Sequence, residues 1–192
     1  MKIGLFFGTF NPIHIGHLII GSYMAEFTDL DEIWFVVTPH NPLKEKSSLL
    51  PDVHRYRMVE EATDDYPRLK PSNIEFGLPQ PNYTVNTLAY LTEKYPEHQF
   101  YLIMGEDNLK TLHKWKNYEV LLENYPIYCY PRTYDRNEDD QQPIHGNIHF
   151  IDAPVVEISS TFIRKAIHQR KDIRAMLPPG VWSYIDKMNF YK

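Results

Sequence analysis

Residues 2–17 read KIGLFFGTFNPIHIGH, an apolar run that ends at Gly8-Thr9-Phe10 and leads into two histidines three apart, His14 and His17. Ile3, Leu5, Phe6 and Phe7 do not alternate with polar residues, which is how a strand buried on both faces reads. Similar runs recur as EIWFVVTP at 32–39, FYLIMG at 100–105, PIYCYPR at 126–132 and IHFIDAP at 148–154. Between them, apolar residues fall at helical spacing over 18–27, 53–64, 85–93, 118–122, 162–169 and 181–188. Strands alternating with helices predict parallel βαβ units, hence an α/β fold on a doubly wound parallel sheet, with a small helical portion at the C-terminal end. Ligands of such sheets bind beyond the carboxyl ends of the strands, so the loops after strands are where function is expected.

The 192 residues suit a single domain spanning 1–192, and 43% hydrophobic with 14% aromatic content is that of a globular chain. Cys129 is the only cysteine, so no intrachain disulfide can form and a reducing, cytoplasmic setting is expected. No run approaches the roughly 20 apolar residues of a membrane span, and the first residues lack the order of a signal peptide. A net charge of −5 argues against a nucleic-acid partner, which would call for a basic stripe. An anionic ligand must therefore be held by a local site. The segment RTYDRNEDDQQPIHGN at 132–147 is polar and acidic enough to read as a mobile insertion.

Three loops are candidates. In the first, Gly8 permits a tight turn and close backbone approach, and Pro12 fixes the chain ahead of a helix start. A helix N-terminus there offers free N–H groups and a positive dipole end to an anion. His14 and His17 share a face if the first turn includes both, and could donate to phosphate oxygens. Zinc ligation and plain helix-start residues are the alternatives, the first disfavoured because no glutamate stands between histidines four apart. In the second loop, EISSTFIRKAI at 157–167, Ser159, Ser160 and Thr161 are either simple N-caps or, with Arg164 leaning toward the same end, part of an anion site. In the third, MGEDNLKTLHKWKN at 104–117, Gly105 lets the chain turn. Asp107 either accepts from hydroxyls such as those of a ribose or caps the next helix. Trp115 is core or a stacking surface, and periodicity favours core.

These residues carry a resemblance. GTFNPIHIGH resembles the (T/H)xGH signature of the nucleotidyltransferase superfamily, and ISSTFIR resembles its ISSTxIR signature. PHNPLK, NYTVNTL (resembling SYTVDTL), GEDNLKTLHKW (resembling GxDxLxxLxxW) and LPPGVWSYI extend the likeness along the whole chain to the bacterial nicotinate mononucleotide adenylyltransferases. The resemblance implies a Rossmann-like nucleotidyltransferase fold and the reaction of ATP with nicotinate mononucleotide to give deamido-NAD and pyrophosphate. It implies catalytic roles for His14, His17 and Arg164, with ATP bound by these and by Gly8, Thr9, Phe10, Gly16, Gly105, Asp107, Ile158, Ser159, Ser160 and Thr161. It places nicotinate mononucleotide on Thr9, Lys44, Tyr83, Thr84 and Trp115, the indole against the pyridine ring. Mg²⁺ would come in mainly on substrate phosphates, with no dedicated protein ligands. Lys44 and Lys46 either add charge to those phosphates or stay solvated. ATP and the mononucleotide are the expected partners, with no nucleic acid and no membrane, and a homo-oligomer is allowed.

Three positions depart from the pattern: Phe7 stands where a second glycine is usual, and Asn11 and Asn86 where aspartate is. Phe7 is expected to add bulk near the turn, while the two asparagines keep size and lose charge. The chemistry fits the residues directly. A mononucleotide phosphate, with a second pKa near 6, is already mostly ionised at neutral pH and needs no general base, so the protein must position and neutralise. Rivals are another member of the superfamily, such as a phosphopantetheine adenylyltransferase or a cytidylyltransferase, and a non-catalytic nucleotide-binding module. The presence of both histidines, the Ser-Ser-Thr run and Arg164 favours catalysis.

Overall fold

The computed structural model describes residues 1–39, 49–132 and 146–192, so Lys44, Lys46 and residues 133–145 of the acidic segment lie outside the described residues. The strands are β1 (Lys2–Gly8), β2 (Glu32–Val37), β3 (Leu69–Ser72), β4 (Gln99–Gly105), β5 (Ile127–Tyr130) and β6 (Ile148–Phe150). The helices are α1 (Ile15–Phe27), α2 (Asp52–Thr63), α3 (Thr84–Lys94), α4 (Glu106–Lys110), α5 (Tyr118–Asn124), α6 (Ser160–His168) and α7 (Pro179–Met188). The strands form one sheet in the order β3-β2-β1-β4-β5-β6, every pairing parallel. That is the Rossmann-like, doubly wound arrangement. The order reverses beside β1, whose Phe6 pairs with Phe35 of β2 and Ile103 of β4, and the ligand crevice of such sheets opens there.

All five apolar runs became strands. The sixth, β3, reads LKPS, too short and too polar to announce itself. It sits at the sheet edge, where a proline without an N–H is tolerated. Two cores cover the faces. Phe6 joins Phe10, Phe35, Met24, Met58 and Ile163 on one, while Ile3 and Leu5 join Leu88, Leu91, Leu102 and Leu121 on the other. Phe7, expected to crowd the turn, points instead into this second core, so its bulk is absorbed on the face away from Phe6 and Phe10. The C-terminal helical portion closes the first face, with α7 lying against α2.

One buried charge ties the strand ends together. Arg55 of α2 is fully buried, and its guanidinium donates to the carbonyls of Leu50 (3.0 Å), Thr9 (2.5 Å) and Thr38 (2.9 Å), and to Asp52 Oδ1 (2.5 Å). Burial pushes its pKa down and the Asp52 carboxylate pushes back. The chains leaving β1 and β2 are thereby fixed to one helix and to each other, since the Thr38 N–H also donates to the Gly8 carbonyl at 2.9 Å. Arg55→Met should strip the guanidinium from the buried Thr38 carbonyl and the half-buried carbonyls of Leu50 and Thr9 and destabilise by about 3 to 5 kcal/mol, read as a lower urea midpoint at unchanged m-value. A loss under about 1 kcal/mol would mean that water replaces the guanidinium.

Candidate active site

The loop from Thr9 to Ile13 joins β1 to α1 at the reversal of strand order. Phe10 turns it in the left-handed region (φ 45°) and buries its ring against the core. Gly8 makes room for this: a Cβ there would lie 2.8 Å from the Phe10 ring. The glycine thus serves the fold of its own loop as well as any ligand.

His14 is the N-cap of α1, in extended backbone (φ −144°, ψ 171°), and His17 is its third residue. The condition set from the sequence, that both stand in the first turn, is met at its edge: cap and third residue lie side by side over the helix end. The rings stack with centroids 3.7 Å apart and planes 28° from parallel. The His14 N–H donates to His17 Nδ1 at 3.2 Å, which assigns the His17 proton to Nε2 when the ring is neutral. His14 itself is 3% exposed, and its Nδ1 has no hydrogen-bond partner. Burial pulls its pKa down to about 4, helped by the positive charge of Arg132, so His14 is neutral at pH 7. Gly16 permits the closure: a Cβ there would stand 3.1 Å from both His14 Nδ1 and Val156 Cγ1. Together His14, Gly16, His17, Arg132, Val156 and Ile158 line a small cleft.

The N-terminus of α6 comes to the same loop. Ser159 caps it, accepting from the Phe162 N–H at 3.2 Å. Ser160 Oγ donates to the Pro12 carbonyl (2.8 Å), and Arg164 donates to the Asn11 carbonyl (2.9 Å) and to Thr161 Oγ1 (3.4 Å). The elements expected to converge on an anion do meet. In the structure the Ser160 hydroxyl and one guanidinium nitrogen hold the loop's backbone, leaving further donors of the fork for a ligand. On the other side Gly105, at the end of β4, caps α4, so Asp107 is not the cap. Asp107 lies exposed in the first turn of α4, its Oδ1 3.5 Å from Arg132 Nε.

Tyr83 and Trp115 are half-buried against the second core, so the indole is neither fully interior nor free. Lys116 Nζ lies 4.4 Å from the Tyr83 ring centroid. Thr84 starts α3, and the first intrahelical bonds come from Asn86 and Thr87 to the Tyr83 carbonyl, which leaves the Thr84 and Val85 N–H groups outside the ladder. Asn86 is exposed and Asn11 buried. Sequence reasoning passed over Arg55 and Arg132, and also Glu75. Glu75 is 1% exposed; its Oε1 accepts from Thr87 Oγ1 at 2.6 Å, its backbone carbonyl accepts from Asn82, and burial raises its pKa. Each is a single charge in an ordinary helix, turn or strand end, and nothing local marks it.

Two imidazoles and two helix N-termini thus gather at the reversal of strand order, where sheets of this kind bind their ligands. Residues 5–166 match the cytidylyltransferase-like family model. Over all 192 residues, and the full length of its counterpart, the chain is 67% identical to a Flavobacterium johnsoniae protein named "Probable nicotinate-nucleotide adenylyltransferase". A Bacteroides thetaiotaomicron protein of the same name is 46% identical over 96% of this chain and 91% of its own. The chain belongs to the family of nicotinate-nucleotide adenylyltransferases. The fold is also that of Plasmodium falciparum nicotinic acid mononucleotide adenylyltransferase solved with NaAD, with TM-score 0.83 and 22% identity over 99% of this chain and 97% of that one.

Because the folded-state pKa of His14 is about 4 while an unfolded histidine has about 6.5, the unfolded chain binds the extra proton between those values. Stability is therefore untouched above pH 6.5 and falls as pH drops toward 4, by about 3 kcal/mol at most from this group. Urea titrations at pH 7 and pH 4.5 should show a smaller loss for His14→Asn than for the wild type. Equal losses would place the proton elsewhere.

Proposed function

We propose that the protein transfers the adenylyl group of ATP to nicotinate mononucleotide. The acceptor's phosphate oxygen attacks the α-phosphorus, the bond from that phosphorus to the α–β bridging oxygen breaks, and pyrophosphate leaves with the electron pair. The observation that carries this reading is the stacked pair of buried His14 and half-buried His17 on the N-terminus of α1, with an orphaned His14 nitrogen beside Arg132. A neutral imidazole has no charge to lose and serves as a fixed dipole. His17 presents Nε2 as donor, and together with the helix ends and Arg164 it would stabilise charge as it grows on the leaving phosphates. Asp107 and Gly105 would face the ribose of ATP, and Thr9 would lie between the two substrates.

Among the described residues no three His, Cys, Asp or Glu side chains gather to hold a metal. The donors at the site suit phosphate oxygens, so Mg²⁺ would be held through the phosphates of ATP rather than by protein side chains and would offset their charge. A cytoplasmic setting suits the unbridged, buried Cys129, and no described helix is long and apolar enough to cross a membrane.

On the second face, the pyridine ring would stack on Trp115, and its carboxylate would take the free N–H groups and the Thr84 hydroxyl at the start of α3. Stacking treats acid and amide alike. Donors do not, since an amide NH₂ would face them unpaired at about 1 to 3 kcal/mol each.

Pyrophosphate release is expected with ATP and nicotinate mononucleotide, and not with phosphopantetheine or CTP-dependent acceptor pairs; the opposite pattern would move the protein to a sister activity. His17→Ala should lower kcat about 10²- to 10³-fold with the fold intact by circular dichroism. Arg164→Lys should stay folded and lose activity with its fork geometry. For acceptor choice, wild-type kcat/KM should favour nicotinate over nicotinamide mononucleotide by about 10² or more, and Thr84→Val should narrow the ratio. Equal values in the wild type would refute the donor account.

A further inference from the structure

The last residues of the chain come back to the first loop. Tyr191, one residue from the end, donates its hydroxyl to Asn11 Oδ1 at 2.7 Å, across 180 positions of sequence. The same Oδ1 accepts from the Leu50 N–H at 3.3 Å, and the Asn11 side chain is buried at 1% exposure. Tyr191 sits in the left-handed region (φ 64°), a conformation a free tail would not choose for a tyrosine. Its ring packs on the first core beside Phe190. Burial raises the pKa of its hydroxyl although Arg164 and Arg55 pull the other way, so it stays a donor at working pH.

From these contacts we infer that Tyr191 is a positioning residue for the reaction: through Asn11 it holds the β1–α1 loop in the shape that sets His14 and His17. The backbone of that loop is bound by Arg55 at Thr9, by Arg164 at Asn11 and by Ser160 at Pro12. The Asn11 amide is bound by the C-terminus and by Leu50, which precedes α2. An uncharged amide suits this place, because the hydroxyl and the N–H both seek an acceptor, and Arg55 and Arg164 already spend donors on neighbouring carbonyls. Three residues on, His14 caps α1, so a loop released at Asn11 shifts the histidine pair against the phosphates. Misplacement of that kind is felt most in the transition state, where donors must meet developing charge.

The inference rests on the adenylyltransferase reading, and its test separates the two. Tyr191→Phe keeps the ring and deletes the donor, while Asn11→Ala deletes the acceptor. For Tyr191→Phe, kcat with ATP and nicotinate mononucleotide should fall about three- to tenfold, with KM for ATP changed less than about twofold. Tyr191→Phe combined with Asn11→Ala should be no slower than the slower single variant, as sharing one bond requires. The ¹⁵N spectrum of the His17 ring should lose its single Nε2–H form in Tyr191→Phe as the loop samples other shapes. A wild-type kcat and an unchanged ring spectrum in Tyr191→Phe would overturn the inference even if the melting temperature fell, and so would losses that multiply in the double variant. Should the wild type release no pyrophosphate, the functional reading fails, and the ring spectrum alone still decides the role of Tyr191.

Discussion

The capture of three carbonyls in the loop after β1 underlies most of the site. The loop turns through left-handed Phe10 and is largely withdrawn from water, and the carbonyls of Thr9, Asn11 and Pro12 find donors within the protein. Arg55 supplies one from α2, and Arg164 and Ser160 supply two from α6. Burying a guanidinium is costly, and the cost is met by bonding Arg55 to carbonyls and to Asp52 at once. Donors 46 to 153 residues away along the chain are thus gathered around one short loop. The histidines inherit their placement from it.

Charge in the site follows from burial. The chain carries a net −5, yet its cleft holds Arg132 and lies beside Arg164 and two helix N-termini. His14 contributes no charge at neutral pH, because the Arg132 cation and the loss of water both oppose its protonation. The positive charge lining the cleft is therefore the guanidinium of Arg132, and His14 contributes a neutral ring. The division between faces is as clear: polar donors gather at the ends of β1 and α6, while Tyr83 and Trp115 rest on the opposite core with Phe7.

The class of fold and most of its elements could be read along the chain. Runs such as KIGLFFG and EIWFVVTP have no polar side to show to water, so they could only be interior parallel strands, and helices at 3.6 spacing had to cover them. The strand LKPS could not be read, since its four residues hold a proline and its pairing depends on β2 being beside it. Among site residues, His14, Gly16, His17, Ser159, Ser160 and Arg164 announce themselves because they stand in turns and helix starts with a fixed local order. Arg55, Glu75, Arg132 and Tyr191 are silent in sequence, for each looks like one more polar residue in an amphipathic element, at a turn or at a strand end.

Sequence alone, then, determined the alternation of strands and helices, the loops at the carboxyl ends of the strands and the imidazole pair at the first helix, all of them consequences of local order and of what must avoid water. Tertiary structure decided which carbonyls go unsatisfied and who satisfies them. It sent Phe7 into the far core, made His14 a cap with a lowered pKa, turned Arg164 toward Asn11 and brought Tyr191 back to residue 11. Those outcomes depend on which surfaces meet when the sheet closes, and a hydrogen bond across 180 residues leaves no trace in the spacing of the chain.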